Sequence, residues 1–99
     1  MILTKGAAAG TTDKSDIEII LEPASNGVEL ELKSKVMALY GKQIRKVILQ
    51  TLQNLEVDNV KVTASDYGAL DCVIKARVEC AVFRAAGVTE DLPWGRLIK

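Results

Sequence analysis

Leu70-Asp71-Cys72-Val73-Ile74-Lys75-Ala76-Arg77-Val78 is the stretch on which the fold turns. Read with a period of two, it sets Leu70, Cys72, Ile74, Ala76 and Val78 on one side and Asp71, Lys75 and Arg77 on the other, as in a half-buried strand. Past Val78 the alternation gives way to Ala81, Val82, Ala85 and Ala86, which fits a short helix ending before Gly87. A helix throughout residues 70–86 also buries a stripe, so the switch point is open by several residues. Upstream, Asn59-Val60-Lys61-Val62-Thr63-Ala64 alternates as a strand. Ser65-Asp66-Tyr67-Gly68-Ala69 supplies the turn, with Gly68 as its positive-φ residue, so the strand reading pairs 59–64 with 70–78.

Further upstream, Ser34 is the expected N-cap of a long helix from Lys35 to about Leu55. Val36, Met37, Tyr40, Ile44, Val47, Ile48, Thr51, Leu52 and Leu55 recur at three- and four-residue spacing and form its buried stripe. Lys35, Lys42, Arg45, Lys46, Gln50 and Gln53 occupy much of the remainder, as a solvated face or one that docks an acidic partner or a phosphate. Asp16-Ile17-Glu18-Ile19-Ile20-Leu21-Glu22 is a strand ended by Pro23, and Ala24-Ser25-Asn26-Gly27 supplies turn chemistry. Val28, Leu30 and Leu32 share one face of the next strand, so the two read as a hairpin with one wet face.

The predicted order is ββαββα, an α+β two-layer sandwich whose antiparallel sheet carries one long and one short helix on one face. Residues 16–99 are expected to form the single domain. Residues 1–15 are expected to be a flexible N-terminal arm, because Gly6 to Ser15 lacks large apolar side chains. In the tail, Trp94 is expected to cover a core edge, with a partner-binding anchor as the alternative.

Composition narrows the function. Thirteen Lys and Arg balance thirteen Asp and Glu, which argues against a nucleic-acid partner, since that needs a basic excess. No apolar run approaches the ~20 residues that span a bilayer. The opening Met1-Ile2-Leu3-Thr4-Lys5 is too short for a signal peptide, so a soluble cytoplasmic protein with no membrane partner is expected. Histidine is absent, which removes imidazole bases and His-containing metal sites. Cys72 and Cys80 cannot furnish a four-ligand zinc site and are expected to be buried, reduced and packed as small apolar residues. Glu18, Glu22, Glu29 and Glu31 lie on the wet face of the hairpin and read as a solvated face, since paired carboxylates perform acid–base work only inside a cleft. Gly6 and Gly10 precede a strand and make no phosphate loop. A self-contained enzyme is not expected.

One series of segments has a recognisable order. Ala9-Gly10-Thr11 leads into Thr12-Asp13-Lys14-Ser15-Asp16; Gly41-Lys42-Gln43-Ile44-Arg45 follows; then comes Tyr67-Gly68-Ala69-Leu70-Asp71-Cys72-Val73-Ile74-Lys75-Ala76-Arg77. Arg84-Ala85-Ala86-Gly87 and Leu92-Pro93-Trp94 close it. Over essentially its whole length the chain resembles the acyl carrier protein, or gamma subunit, family of citrate lyase. That resemblance implies a non-catalytic carrier whose serine, near the first strand, bears a covalently attached 2'-(5''-phosphoribosyl)-3'-dephospho-CoA arm. It implies acetyl and citryl thioesters on the arm's thiol, an alpha subunit that exchanges acetyl for citrate, a beta subunit that cleaves the citryl form to oxaloacetate, and a prosthetic-group transferase. Malonate decarboxylase uses a similar small carrier.

The sequence departs from the family at one point. The usual pattern is glutamate-serine, one small residue, then aspartate; anchored on Asp16, it puts Lys14 at the modified position and Ser15 where the small residue stands. Either the transferase accepts Ser15, or the position has been altered and the carrier cannot be loaded, or this relative has another role. Ser15 is the expected attachment residue, with Thr11 and Thr12 as weaker candidates, since a lysine cannot form the same phosphodiester. The alternatives to a citrate-lyase carrier are an unmodified interaction or regulatory module and a malonate-decarboxylase-type carrier.

Overall fold

A computed structural model describes residues 3–25, 27–34 and 37–87. Along the chain it contains β1 (Ala7–Ala9), β2 (Ile17–Pro23), β3 (Val28–Ser34), α1 (Met37–Asn54), β4 (Val60–Asp66) and α2 (Asp71–Ala85). The α+β class and its two layers are as expected, but the order is βββαβα. The strands form a mixed sheet in the order β1-β2-β4-β3.

The deciding stretch is helical. α2 buries Ile74, Val78, Ala81, Val82 and Ala85, a four-, three- and one-residue spacing that only a helix brings to one side. The strand reading required Leu70, Cys72 and Ala76 to be buried with Ile74, yet all three are exposed. Asp71 in the first turn and Arg84 in the last suit the helix dipole. The helical pattern from Val78 onward extends back through residues 71–77, since adding a turn to an existing helix is cheaper than starting a strand. The second helix therefore has 15 residues and is not short.

The expected hairpin is also absent, because β4 lies between β2 and β3. β2 runs antiparallel to β4, with Leu21 opposite Val62, while β3 runs parallel to β4, with Leu30 opposite Val62. Alternation states which face of a strand is buried but not which strand it pairs with. The chain from β3 through α1 to β4 is a βαβ crossover, and it makes the sheet mixed, not antiparallel. Asn59 ties the far end together by accepting from Gly27 N–H at 3.0 Å.

One sheet face is dry. Ile17, Ile19, Leu21, Val60, Val62 and Ala64 are fully buried beneath Ile48, Leu52, Ile74, Val78 and Phe83 of the helices. The other face carries Glu18, Glu22, Glu29, Glu31, Lys33 and Lys61; Glu22, Glu29 and Glu31 are exposed as expected and Glu18 is half-buried, and β4 divides the four carboxylates into two pairs. The α1 stripe holds for Ile44, Ile48, Thr51, Leu52 and Leu55, but Tyr40 is 57% exposed. Lys42, Arg45, Lys46, Gln50 and Gln53 are exposed as expected. Ser34 ends β3, and its hydroxyl donates to Asp66 Oδ2 at 2.9 Å; the expected helix start at Lys35 and Val36 lies outside the described residues.

The N-terminal segment read as an arm contributes to the fold. Ala7–Ala9 pair with Ile19–Leu21, and Leu3 and Ala9 join the core. Their small side chains give no strand signal, because an edge strand of three alanines is held by backbone bonds and by the cover that α2 supplies. Thr4 and Lys5 N–H both donate to the Ala85 carbonyl, at 2.9 and 3.2 Å. Cys72 is exposed and Cys80 half-buried, both as free thiols, so only Cys80 approaches the expected packed state. Trp94 and the rest of the tail lie outside the described residues. No helix among the described residues is long and apolar enough to cross a membrane.

Candidate functional site

Between β1 and β2 the chain turns through Gly10 to Asp16, and its polar side chains close the loop. Gly10 adopts φ +91° with its Cα against the Ile17 carbonyl, a place no side chain fits. The Thr11 hydroxyl donates to Asp16 Oδ2 at 2.7 Å, and Thr11 N–H donates to the same oxygen at 3.2 Å. Thr11 Oγ1 accepts from Asp13 N–H at 3.2 Å, and the Asp13 carbonyl accepts from Asp16 N–H at 3.2 Å. Asp16 Oδ1 accepts from Ile17 N–H at 2.7 Å.

α2 supplies the second half of the site. Arg77 donates through Nε to Asp16 Oδ1 at 3.1 Å and through Nη2 to Oδ2 at 2.9 Å, the two-pronged geometry that a guanidinium makes with a carboxylate. The Asp16 side chain is 12% exposed and that of Arg77 39%. Hydrogen bonding from Arg77 outweighs burial and, with help from Thr11 and Ile17 N–H, brings the Asp16 carboxyl down from 3.8 to about 2. The same hydrogen bond pushes the Arg77 guanidinium up.

Ser15 sits beside this pair, exposed, in the left-handed region at φ +66°. Its N–H donates to the Tyr67 carbonyl at 2.8 Å, and Tyr67 N–H donates to the Asp16 carbonyl at 2.9 Å, so the β2–β4 ladder runs directly into the loop. A non-glycine residue in this region costs roughly 1 kcal/mol and persists where its surroundings hold it. Lys14, Thr12 and Asp13 are exposed alongside. Of the expected hydroxyl candidates, Thr11 is tied to Asp16, whereas Thr12 and Ser15 are exposed.

Beyond Tyr67, Asp66 is buried and accepts from Ala69 N–H at 3.0 Å as well as from Ser34, which shapes the β4–α2 turn. A groove of about 640 Å³ opens there between Tyr40, Gln43 and Ile44 of α1 and Gly68, Leu70 and Cys72. Gln43 Nε2 donates to Asp71 Oδ2 at 2.8 Å at its edge. Among the described residues no three Cys, Asp or Glu side chains gather as metal ligands.

A strand over residues 70–78 sets Arg77 on the wet side, which hides its bond to Asp16. A helical reading of residues 71–85 carries the signal, since it sets Arg77 one position from buried Val78, at the edge of the face that meets the sheet.

The ion pair makes a pH prediction. Because the folded-state value for Asp16 is depressed, the contribution is complete well above the ordinary value of 3.8 and is lost as pH falls from there toward 2. Glu79 acts in the opposite sense, since burial raises its carboxyl despite Lys75 at 3.9 Å. The informative quantity is therefore the stability difference between parent and Asp16→Asn. It is expected to be about 1–2 kcal/mol and flat above pH 5, the exposure of the guanidinium having been allowed for, and to shrink by pH 2 to 3. Urea titrations of both proteins between pH 2 and 7 measure it.

The chain has clear relatives. The family described as ACP, malonate decarboxylase delta subunit (MdcD), matches residues 4–85. A citrate lyase acyl carrier protein of Lactobacillus helveticus is 52% identical over 88% of this chain and 89% of its own length. That of Lactiplantibacillus plantarum is 53% identical over 84% and 86%, and that of Latilactobacillus sakei 46% identical over 100% and 97%. Among solved structures, a chain of a Pseudomonas malonate decarboxylase hetero-tetramer in complex with malonate shares the fold, with a TM-score of 0.72 at 18% identity over 82% of this chain and 84% of that one.

Proposed function

Since this chain belongs to the citrate lyase acyl carrier protein family, we propose that it is the carrier subunit of a citrate-lyase-type complex, with Ser15 as the residue that bears the prosthetic arm. The observation that carries the reading is the exposed Ser15 hydroxyl on a loop held from both sides, in a chain about half identical to proteins of that name. The residues fit a phosphodiester-linked 2'-(5''-phosphoribosyl)-3'-dephospho-CoA arm. Ser15 offers a free primary hydroxyl, Thr11 has committed its own to Asp16, and the Lys14 amine cannot form an O–P ester. When bound, the arm supplies a tethered thiol that carries acetyl and citryl groups as thioesters for cleavage of citrate to acetate and oxaloacetate.

The chain itself anchors that tether and does no bond-breaking. A tether replaces diffusion between two active sites with a high local concentration. The active sites belong to alpha (acyl transferase) and beta (acyl lyase) partner subunits, and a prosthetic-group transferase loads the chain, all in the cytoplasm. Identity near 50% to citrate lyase carriers, against 18% to the malonate decarboxylase chain, favours citrate over malonate chemistry.

Reconstitution tests the reading. Purified alpha and beta subunits are expected to cleave citrate only when the loaded chain is added, and neither the unloaded chain nor the loaded chain alone is expected to turn over. Cleavage that is indifferent to the chain, or that the chain performs by itself, would contradict it. A loaded chain that supports only malonate decarboxylation would move it to the sister system.

A further inference from the structure

Arg77 reaches across from α2 to a loop distant in sequence, and what it meets there is the carboxylate next to Ser15. Asp16 accepts bonds from Thr11, from Ile17 N–H and from both prongs of Arg77, so one side chain fastens both ends of the Thr11–Asp16 loop to a helix. Ser15 is consequently held between two fixed points. Its backbone N–H is engaged by Tyr67 of the sheet, and the residue after it is engaged by Arg77. The left-handed backbone of Ser15 is a conformation that a free chain seldom visits.

We propose that Arg77 is a positioning residue for loading: through its two-pronged bond to Asp16 it holds the loop in the conformation in which Ser15 is presented to the prosthetic-group transferase. This rests on the reading of Ser15 as the acceptor. Loading joins Ser15 Oγ to a phosphorus atom of an activated phosphoribosyl donor, the hydroxyl proton passing to the transferase and a phosphate-class leaving group departing from the donor. Arg77 touches none of these atoms. Its effect is on the fraction of carrier that is competent to bind, which appears in KM and not in kcat.

Lys14 provides a direct probe, because trypsin cuts after lysine and needs the surrounding chain to open and extend. The experiment compares parent, Arg77→Gln and Arg77→Lys at a temperature where circular dichroism shows all three folded. Trypsin cleavage of the Lys14–Ser15 bond and the transferase KM for the carrier, followed by intact mass, are measured for each. Arg77→Gln is expected to raise the cleavage rate and the KM at least tenfold with kcat within twofold. Arg77→Lys, which keeps the charge but loses one prong, is expected to fall between. Cuts after Lys42, Arg45 and Lys46 in α1 report general opening and are expected to stay within twofold of parent.

Unchanged cleavage after Lys14 would overturn the proposal, and so would faster cleavage with an unchanged KM. Faster cleavage throughout α1 would reduce Arg77 to a general structural role and overturn it too. A parent chain that gains no mass overturns the carrier reading and this proposal with it. A parent loaded at Ser15 whose Arg77→Gln variant loads with the same KM overturns this proposal alone.

Discussion

Ser15→Ala is expected to lose covalent loading altogether, with a drop of more than about a hundredfold in the rate of mass gain and no loss of fold. The substitution removes only an exposed oxygen. Alanine keeps the same Cβ, so the cost of the left-handed backbone at φ +66° is nearly unchanged and stability is expected to move by less than about 0.5 kcal/mol. A loss of loading in a protein of parental melting temperature is then chemical in origin. Adding Lys14→Ser to Ser15→Ala moves the hydroxyl to the position the family ordinarily uses. That double variant is expected to recover loading, now on residue 14, because both residues belong to the same loop surface. Thr11 is not expected to substitute, since its hydroxyl is spent on Asp16 at 2.7 Å. Loading of Ser15→Ala at the parental rate would exclude Ser15 as the acceptor.

The largest effect on stability is expected at Gly10. A Cβ there overlaps the Ile17 carbonyl oxygen, lies 2.9 Å from its carbon and requires a side chain to tolerate φ +91°. The obstacle is backbone of a central strand, not the end of a flexible side chain, so it cannot move aside without breaking the β1–β2 register that sets Ala9 opposite Ile19. Gly10→Ala is expected to cost at least about 3 kcal/mol, a large part of the ~5–15 kcal/mol that holds a domain of this size. The melting temperature should fall by more than about 12 °C. Gly68→Ala is the control: it shares a positive φ of 95° but meets nothing within 4 Å, so its loss should be confined to about 1 kcal/mol. Equal losses at the two glycines would show that backbone angle alone accounts for Gly10.

These two residues mark how far the sequence could be read. Ala9-Gly10-Thr11 and Lys14-Ser15-Asp16 were recognisable as a unit, yet the loop they build, with its threonine and aspartate joined, has no local periodicity to reveal it. The alternation of Val28 to Leu32 and of Val60 to Ala64 located β3 and β4 correctly. It left their parallel pairing invisible, because pairing depends on the route that α1 takes and not on either strand. Residues 70–78 satisfied both periods at Ile74 and Val78, and the exposed Leu70 and Ala76 looked like core to a strand reading. With that stretch misassigned, Arg77 faced water, and the ion pair that now organises the site could not be anticipated. Asp16 was legible only as a register mark. Its partner lies sixty-one residues away in sequence, a distance that only the fold closes.

The most direct test of the account is the intact mass and peptide map of the chain purified from its native host, or co-produced with its prosthetic-group transferase. An added mass equal to one phosphoribosyl-dephospho-CoA group is expected, carried by the peptide that contains Ser15. An unmodified chain under conditions that load a citrate lyase carrier with serine at position 14 would contradict it, and Lys14 would then mark a chain that works without the arm.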